Sequence, residues 1–169
     1  AALEGIDAVV NLSGENVGAG RWTARRRKAI LQSRLDATRT LAEAIGELRR
    51  HPSVLVNASA VGFYGDRGDE SVAEGEPRGG GFLADVCAAW EAEALAMGRL
   101  GVRVTCLRFG VVLAADGGAL PKLLPVFRLG LGGRVGSGRQ WMSWIALADA
   151  VGAMEHALVT SSCVGAVNA

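Results

Sequence analysis

Three apolar runs in this chain end in small or polar residues whose types could bind a nucleotide. The first run ends in Asn11-Leu12-Ser13-Gly14, the second in Ala58-Ser59 and the third in Arg108-Phe109-Gly110. Because ligands of open parallel sheets lie at the carboxyl ends of the strands, we expect these ends to form a shared shelf. Small residues there would let a ribose or pyrophosphate approach the backbone. Taken singly, each end could also be a plain strand–loop turn.

A second group of residues could act on a substrate. Ser59 could hydrogen-bond a ligand at the sheet edge, and Tyr64, the only tyrosine, could transfer a proton. Arg139-Gln140-Trp141 follows a glycine-rich loop, where Arg139 could meet a diphosphate and Trp141 could cover a ring. The alternatives are a satisfied backbone cap for Ser59, a loop anchor for Tyr64 and a packed surface loop for residues 139–141.

Other reactive side chains have stronger structural explanations. Cys87 falls on the apolar side of a predicted helix, which favours a buried, inert thiol over a nucleophile. Neither His51 nor His156 has a possible triad partner or metal ligand at a characteristic spacing in the sequence. The sequence therefore predicts neither a catalytic triad nor a metal site. Three carboxylates on one loop could work as acid and base: Asp66, Asp69 and Glu70. Charged loop residues that are simply solvated are commoner.

Basic residues cluster around the start of the first predicted helix, on both sides of the N-cap Thr23. The cluster is Arg21, Arg25, Arg26, Arg27 and Lys28. Positive charge is disfavoured at a helix N-terminus, and arginine binds phosphate bidentately, so a phosphate-binding use is conceivable. A solvated helix face is the simpler explanation. If any arginine binds phosphate, Arg21 and Arg34 are the candidates.

Alternating apolar and helical patterns define the elements that would position these residues. Strands are expected at residues 6–12, 54–58, 102–107 and 164–169, and helices from Thr23 to His51-Pro52, over 82–99, 119–129 and 147–158. The second of these helices should turn Leu83, Val86, Cys87, Trp90 and Leu95 to one side. This alternation predicts an α/β, Rossmann-like, doubly wound parallel sheet in three layers, as a single domain over residues 1–169.

Composition narrows the class of partner. The 169 residues carry 18 basic and 17 acidic side chains, so no global field would recruit nucleic acid or an anionic membrane. Three widely spaced cysteines form no disulfide framework, which favours a reduced, cytoplasmic setting. Neither a signal peptide nor a membrane-spanning apolar run is visible. We therefore expect a small-molecule substrate, with nucleotide-linked compounds among the candidates and a homodimer among the candidate assemblies.

Four motifs together resemble the extended short-chain dehydrogenases. They are Asn11-Leu12-Ser13-Gly14, Ser59 to Gly65, Leu107 to Leu113 and Gly136-Ser137-Gly138-Arg139-Gln140, in the order found in that family. Arg21-Trp22-Thr23, Ser33-Arg34 and Gly136 to Ile145 are similar, more narrowly, to a bacterial group of sugar-nucleotide epimerases. Members of that group sometimes carry a cell-division-inhibitor label. The resemblance covers nearly the whole chain.

The resemblance implies NADP or NAD as cofactor, but this chain lacks the family's glycine-rich phosphate fingerprint. Residue 1 stands just before what looks like the fourth strand, so we expect a fragment that is incomplete at both ends. The stretch Gly130 to Gly136 follows no strand and opens no helix, and it is not a substitute.

The family's catalytic tyrosine and lysine also have no counterpart here. The resemblance places Ala60 at the catalytic serine position, with Ser59 beside it. At the positions of the catalytic tyrosine and lysine it places Leu83 and Cys87. A one-residue shift of the alignment places Phe82 and Val86 there instead. The implied function is an atypical NAD(P)-binding epimerase or oxidoreductase acting on a nucleotide sugar or small polar carbonyl. The alternative is a non-catalytic dinucleotide sensor or a cell-division-associated protein.

Overall fold

The structure, a computed structural model, describes residues 3–134 and 136–169. Its strands are β1 (Ala8–Asn11), β2 (Val54–Ala60), β3 (Arg103–Phe109), β4 (Val111–Leu113), β5 (Trp144–Ala146) and β6 (Gly165–Asn168). Its α-helices are α1 (Ala24–Gly46), α2 (Phe82–Leu95), α3 (Leu120–Arg128) and α4 (Leu147–Val159). Two 3₁₀ turns, Val61–Tyr64 and Ala96–Leu100, follow β2 and α2.

Four strands form a parallel sheet in the order β1-β2-β3-β6. In its register Asn11 pairs with Asn57, and Ser59 pairs with Arg108. The short strands β4 and β5 form a separate parallel pair. The predicted parallel sheet is therefore confirmed, and its strands all present their carboxyl ends at one edge.

Helices cover both faces of the sheet, which confirms the three-layer expectation. On one face Leu55 of β2 packs with Ile45 of α1 and Ala94 of α2. On the other face Val54 and Val56 of β2 pack against α4 through Ala150 and Ala157. Continuous apolar runs such as 54–56 form strands here because both of their faces are buried.

Two helix predictions need correction. Helix α1 ends at Gly46 and not at His51. Beyond its end, the amide of Leu48 donates to the carbonyl of Ile45 (3.1 Å), and the side chain of Leu48 is still buried. On α2, Leu83 and Leu95 are 36% and 41% exposed, not buried as the spacing predicted. The inward face of α2 includes a charged residue, Glu91, which a pattern of apolar residues does not reveal.

Among the described residues, no helix is long and apolar enough to cross a bilayer.

Gly110 joins β3 to β4 where two backbones nearly touch. A Cβ on Gly110 would lie 2.7 Å from the carbonyl carbon of Ser143 and 2.8 Å from the amide nitrogen of Trp144. The amide of Val111 donates to the carbonyl of Ser143 at 2.8 Å. The lack of a side chain at residue 110 thus lets β4 pair with β5, whether or not a nucleotide also approaches this point.

We predict that Gly110→Ala destabilises the protein by about 1–3 kcal/mol, because backbone atoms would have to move apart. The matched control is Gly46→Ala, since a Cβ at residue 46 would meet nothing within 4 Å. It should leave stability unchanged or raise it by up to about 1 kcal/mol. Urea unfolding of the two variants measures the difference, and equal midpoints would contradict the packing described for Gly110.

Candidate functional site

Of the three strand ends predicted to form a shelf, only the end of β1 is open to solvent, and its use by a nucleotide stays a prediction. Leu12, Ser13 and Gly14 are exposed immediately after the last residue of β1. Parallel pairing places this segment at the same edge as the ends of β2 and β3. A ligand at this edge would therefore meet small side chains and free backbone groups.

The side chain of Asn11 lies beneath the shelf and faces the core. Its Nδ2 donates to Asn57 Oδ1 (2.6 Å) and to Thr38 Oγ1 (3.1 Å), while its Oδ1 accepts from the amide of Ser13 (3.2 Å). Trp90 Nε1 also donates to Thr38 Oγ1, at 3.1 Å. Asn11 therefore shapes the backbone of the shelf from below, and its predicted contact with a cofactor stays a prediction.

A buried ion pair lies under the ends of β2 and β3. Arg108 donates to Glu91 through Nε (2.8 Å) and Nη2 (2.7 Å), a two-point contact between side chains that are only 4% and 5% exposed. Ser59 Oγ donates to Glu91 Oε1 at 2.5 Å. Ser59, predicted as a catalytic residue, thus faces this ion pair and not the solvent.

The same arginine continues the network to Tyr64. Its Nη1 donates to Tyr64 Oη (2.8 Å) and to the carbonyl of Glu74 (3.2 Å), and Tyr64 Oη donates to Asn168 Oδ1 (2.7 Å). The guanidinium also lies 3.5 Å from the centre of the Phe63 ring. Burial alone would lower the pKa of Arg108, but its hydrogen bonds to Glu91 and Tyr64 raise that pKa above the ordinary value.

Arg108 was predicted to bind cofactor, and its side chain is already largely engaged. Four of its five N–H groups donate to protein atoms, which leaves one N–H on Nη2 for a ligand. The neighbouring Phe109 is buried, and Ala58 packs on the α4 side of the sheet. The roles of these residues toward a cofactor stay predictions, and what they do visibly is support the edge.

A cleft of about 1070 Å³ opens beside this network. Its walls are the 3₁₀ turn after β2, the acidic loop 65–72, the segment 139–141 and the end of β6. Tyr64 and the predicted substrate residues Arg139, Gln140 and Trp141 all line it. Trp141 Nε1 donates to Asp69 Oδ1 across it, at 2.7 Å. Val135, within the glycine-rich stretch 130–136, lies outside the described residues.

The structure separates the two predicted catalytic residues. Tyr64 lines the cleft, whereas Ser59 does not and is held 2.5 Å from Glu91. The acidic loop residues Asp66, Asp69 and Glu70 do line the cleft and are exposed. The cleft can therefore offer a phenol, carboxylates, a guanidinium and an indole to a ligand.

The cysteines and histidines lie apart from the cleft. Burial, followed by the negative charge of Glu91, raises the pKa of Cys87, and burial raises that of Cys106 to about 12. His51 Nδ1 lies 2.8 Å from the carbonyl oxygen of Leu100. Within the described part of the chain, no group of three or more potential ligands could hold a metal ion.

Sequence reasoning did not identify Glu91 or Asn168 as part of the site. Glu91 stands on an otherwise apolar helix face, and Arg108 ends a buried strand. Two opposite charges in apolar surroundings were the available signal, since buried charges are normally paired. Asn168 gave no signal, because its partner Tyr64 lies 104 residues earlier in the chain.

We predict that Glu91→Ala costs about 3–5 kcal/mol of stability, because it leaves Arg108 charged, buried and unpaired. The matched control is Glu93→Ala on the same helix, whose partner Arg39 is half exposed. Loss of that surface pair should change the stability much less. Thermal unfolding distinguishes the two, and a comparable loss in both variants would show that the buried pair has no special weight.

A second prediction concerns the thiols. Since the thiolate is the reactive form, raised pKa values should leave Cys87 and Cys106 unreactive at pH 7 to 8 in the native protein. Cys163 is partly exposed and should react first. Alkylation with iodoacetamide followed by peptide mass spectrometry measures the order. Rapid native labelling of Cys87 would contradict its assignment as an inert core thiol.

Comparison with known proteins relates this geometry to a family. The chain is 42% identical over 167 residues to an epimerase family protein of Mycobacterium bovis, covering 99% of the chain and 55% of that protein. It is 40% identical over 168 residues to a chloroplastic epimerase family protein of Arabidopsis thaliana, covering 98% and 48%. The chain spans about half the length of the curated relatives it matches.

Solved structures agree with this relationship. Human epimerase family protein SDR39U1 with NADPH superposes with a TM-score of 0.89 at 38% identity, over 96% of this chain and 56% of that one. The nucleoside-diphosphate sugar epimerase of Corynebacterium glutamicum superposes with a TM-score of 0.84 at 39% identity, over 98% and 34%. Residues 1–168 match the NAD dependent epimerase/dehydratase family, and the chain belongs to that family.

Proposed function

We propose that this chain supplies the carboxyl-edge part of an NAD(P)-binding site and most of a substrate cleft in an epimerase or oxidoreductase. The substrate would be a nucleotide sugar or a small polar carbonyl compound. The observation that carries the proposal is the adjacency of two features. An exposed strand end, Leu12-Ser13-Gly14, lies at the same sheet edge as a cleft of about 1070 Å³. Two similar solved structures support this class of ligand, one with NADPH and one named a nucleoside-diphosphate sugar epimerase.

The residues at the edge fit a dinucleotide. Gly14 offers backbone without a side chain, and Ser13 adds a hydroxyl beside it, both in the open. The guanidinium of Arg34 lies directly against Gly14, where a Cβ would come within 2.9 Å of its Cζ. Leu12, Ser13 and Gly14 would lie along the cofactor, with Gly110 at the end of β3. Either NADP or NAD is compatible with this proposal.

When bound, the cofactor would supply hydride transfer, and this chain's residues would hold and orient the substrate. Arg139 would bind a diphosphate, Trp141 would cover a ring, and Gln140 would contribute a polar contact between them. Tyr64 Oη would be the proton carrier at the inner wall of the cleft. Its proton now lies in the bond to Asn168, so it would have to leave that bond to reach a substrate.

The alternative is a non-catalytic dinucleotide sensor, including a cell-division-associated protein. One observation favours it. The inner surface of α2 presents Cys87, Trp90 and Glu91 near the strand ends, and Glu91 is committed to Ser59 and Arg108. Tyr64 is hydrogen-bonded on both sides, so its hydroxyl is not poised to transfer a proton. A protein of this kind would bind cofactor without turning it over.

A cytosolic location and a homodimeric assembly are also part of the proposal. The three cysteines are free thiols, which supports a reducing compartment. No nucleic acid or membrane partner is proposed. Fractionation of cells and sedimentation of the purified protein test these two points.

We predict that the full-length protein binds NADPH or NADH, seen as a change in nicotinamide fluorescence on titration. If it is an enzyme, Arg139→Ala should raise KM for a nucleotide sugar or carbonyl substrate about tenfold or more, the weight of a lost charge-assisted contact. Trp141→Ala should raise KM too, because the contact with the ring is lost. Tyr64→Phe and Ser59→Ala should lower kcat. Lys28→Gln, on the exposed face of α1, is the control and should behave like the wild type.

Two results would change the assignment. Cofactor binding without turnover of a panel of nucleotide sugars and carbonyl compounds would favour the sensor. Absence of binding to either cofactor would remove the proposed function altogether.

A further inference from the structure

Arg34 lies at the open sheet edge although it comes from the middle of α1. Its Nη1 donates to the carbonyls of Glu15 (3.1 Å) and of Ile30 (3.0 Å). Its guanidinium lies 5.0 Å from the centre of the Trp90 ring. Gly14 leaves room for the guanidinium, since a Cβ at residue 14 would come within 2.9 Å of Arg34 Cζ and the side chain would have to shift. Three separate contacts thus hold one cation directly beside the exposed strand end.

Among the described residues, Arg34 has no direct ion pair with a carboxylate. The nearest acidic residue along this loop, Glu15, forms its ion pair with Arg26 at 2.6 Å and offers Arg34 only its backbone carbonyl. Within residues 3–134 and 136–169, Arg34 forms no salt bridge, and its Nε and Nη2 have no hydrogen-bond partner. Partial burial lowers the pKa of Arg34, and the electrostatic contributions of Cys87 and Glu15 offset that effect only in part. A half-buried cation without a counter-ion is expected to attract an anion.

We propose that Arg34 binds a phosphate oxygen of the nucleotide at the end of β1, with Nε and Nη2 as the donors. This inference rests on the proposed function and adds a phosphate-binding residue to it. The two free donors would form the bidentate contact that a guanidinium makes with phosphate, while Nη1 and the Trp90 ring fix its orientation.

The other arginines of the basic cluster fit this role less well. Arg26 is paired with Glu15, and Arg27 lies over the Phe82 ring, 5.6 Å from its centre. Arg21 and Arg25 are exposed and would lose more side-chain entropy on binding. Of the two candidates from the sequence, Arg21 and Arg34, only Arg34 is pre-oriented.

The phosphate could belong to the dinucleotide or to a nucleotide-sugar substrate, and titrations separate these sources. Fluorescence titration of the full-length protein with NADPH should show about tenfold weaker binding for Arg34→Gln, and calorimetry with UDP should show no change. The reverse pattern would assign Arg34 to the diphosphate of the substrate. Arg34→Lys should recover part of the lost affinity, because lysine keeps the positive charge but not the bidentate geometry of the guanidinium. Arg25→Gln, on the same helix, should bind both ligands like the wild type.

A readout without substitution covers the case in which Arg34→Gln fails to fold. Phenylglyoxal modifies accessible arginines, and peptide mass spectrometry measures the rate at each site. Saturating NADPH should slow the modification of Arg34 at least severalfold and leave the rate at Arg25 unchanged. If the phosphate belongs to the nucleotide-sugar substrate, UDP should have this effect instead.

Unchanged modification rates at Arg34 with both ligands would overturn the inference. If Arg34→Gln binds NADPH and UDP as tightly as the wild type does, the inference is overturned too, while the proposed function stays intact. A wild-type protein that binds neither NADPH nor NADH would remove both.

Discussion

The ion pair between Glu91 and Arg108 is the interaction on which the arrangement of the site depends. It joins α2 to the end of β3, and its members also hold Ser59 of β2 and Tyr64 of the following turn. Through Tyr64 and Asn168 it extends to β6, so one buried charge pair ties together the strand ends and the inner cleft wall. Two charges in so apolar a place are stable only because each is hydrogen-bonded by the other and by neighbouring hydroxyls.

This network separates the roles that small and polar residues have at the sheet edge. The side chains of Asn11, Ser59 and Arg108 face inward and fix the geometry, while Ser13, Gly14 and the cleft residues face outward. A ligand would thus meet a rigid edge whose internal hydrogen bonds are already made. Such pre-organisation lowers the entropy lost on binding, because few groups have to be ordered when the ligand arrives. The loops that carry Asp69 and Trp141 are the parts left exposed to adapt.

Much of the fold could be predicted from local pattern, and the inner site could not. The runs at residues 54–58 and 102–107 predicted β2 and β3, because parallel strands buried on both faces are continuously apolar. The rule that ligands lie at the carboxyl edge correctly grouped the three strand ends. Helical spacing failed for Leu83 and Leu95, because it counts apolar residues and had no reason to turn Glu91 inward. That orientation depends on Arg108, which only the folded sheet brings near. The contact of Tyr64 with Asn168 depends in the same way on the strand order.

The central claim is that one edge of this sheet, with its adjoining cleft, receives the nucleotide. Hydrogen–deuterium exchange of the full-length protein, with and without saturating NADPH, tests it most directly. Protection confined to the segments 11–16, 60–65 and 139–145 is the expected result, since these border the shelf and the cleft. Protection that instead falls on the outer faces of α3 and α4, with these segments unchanged, would contradict the account.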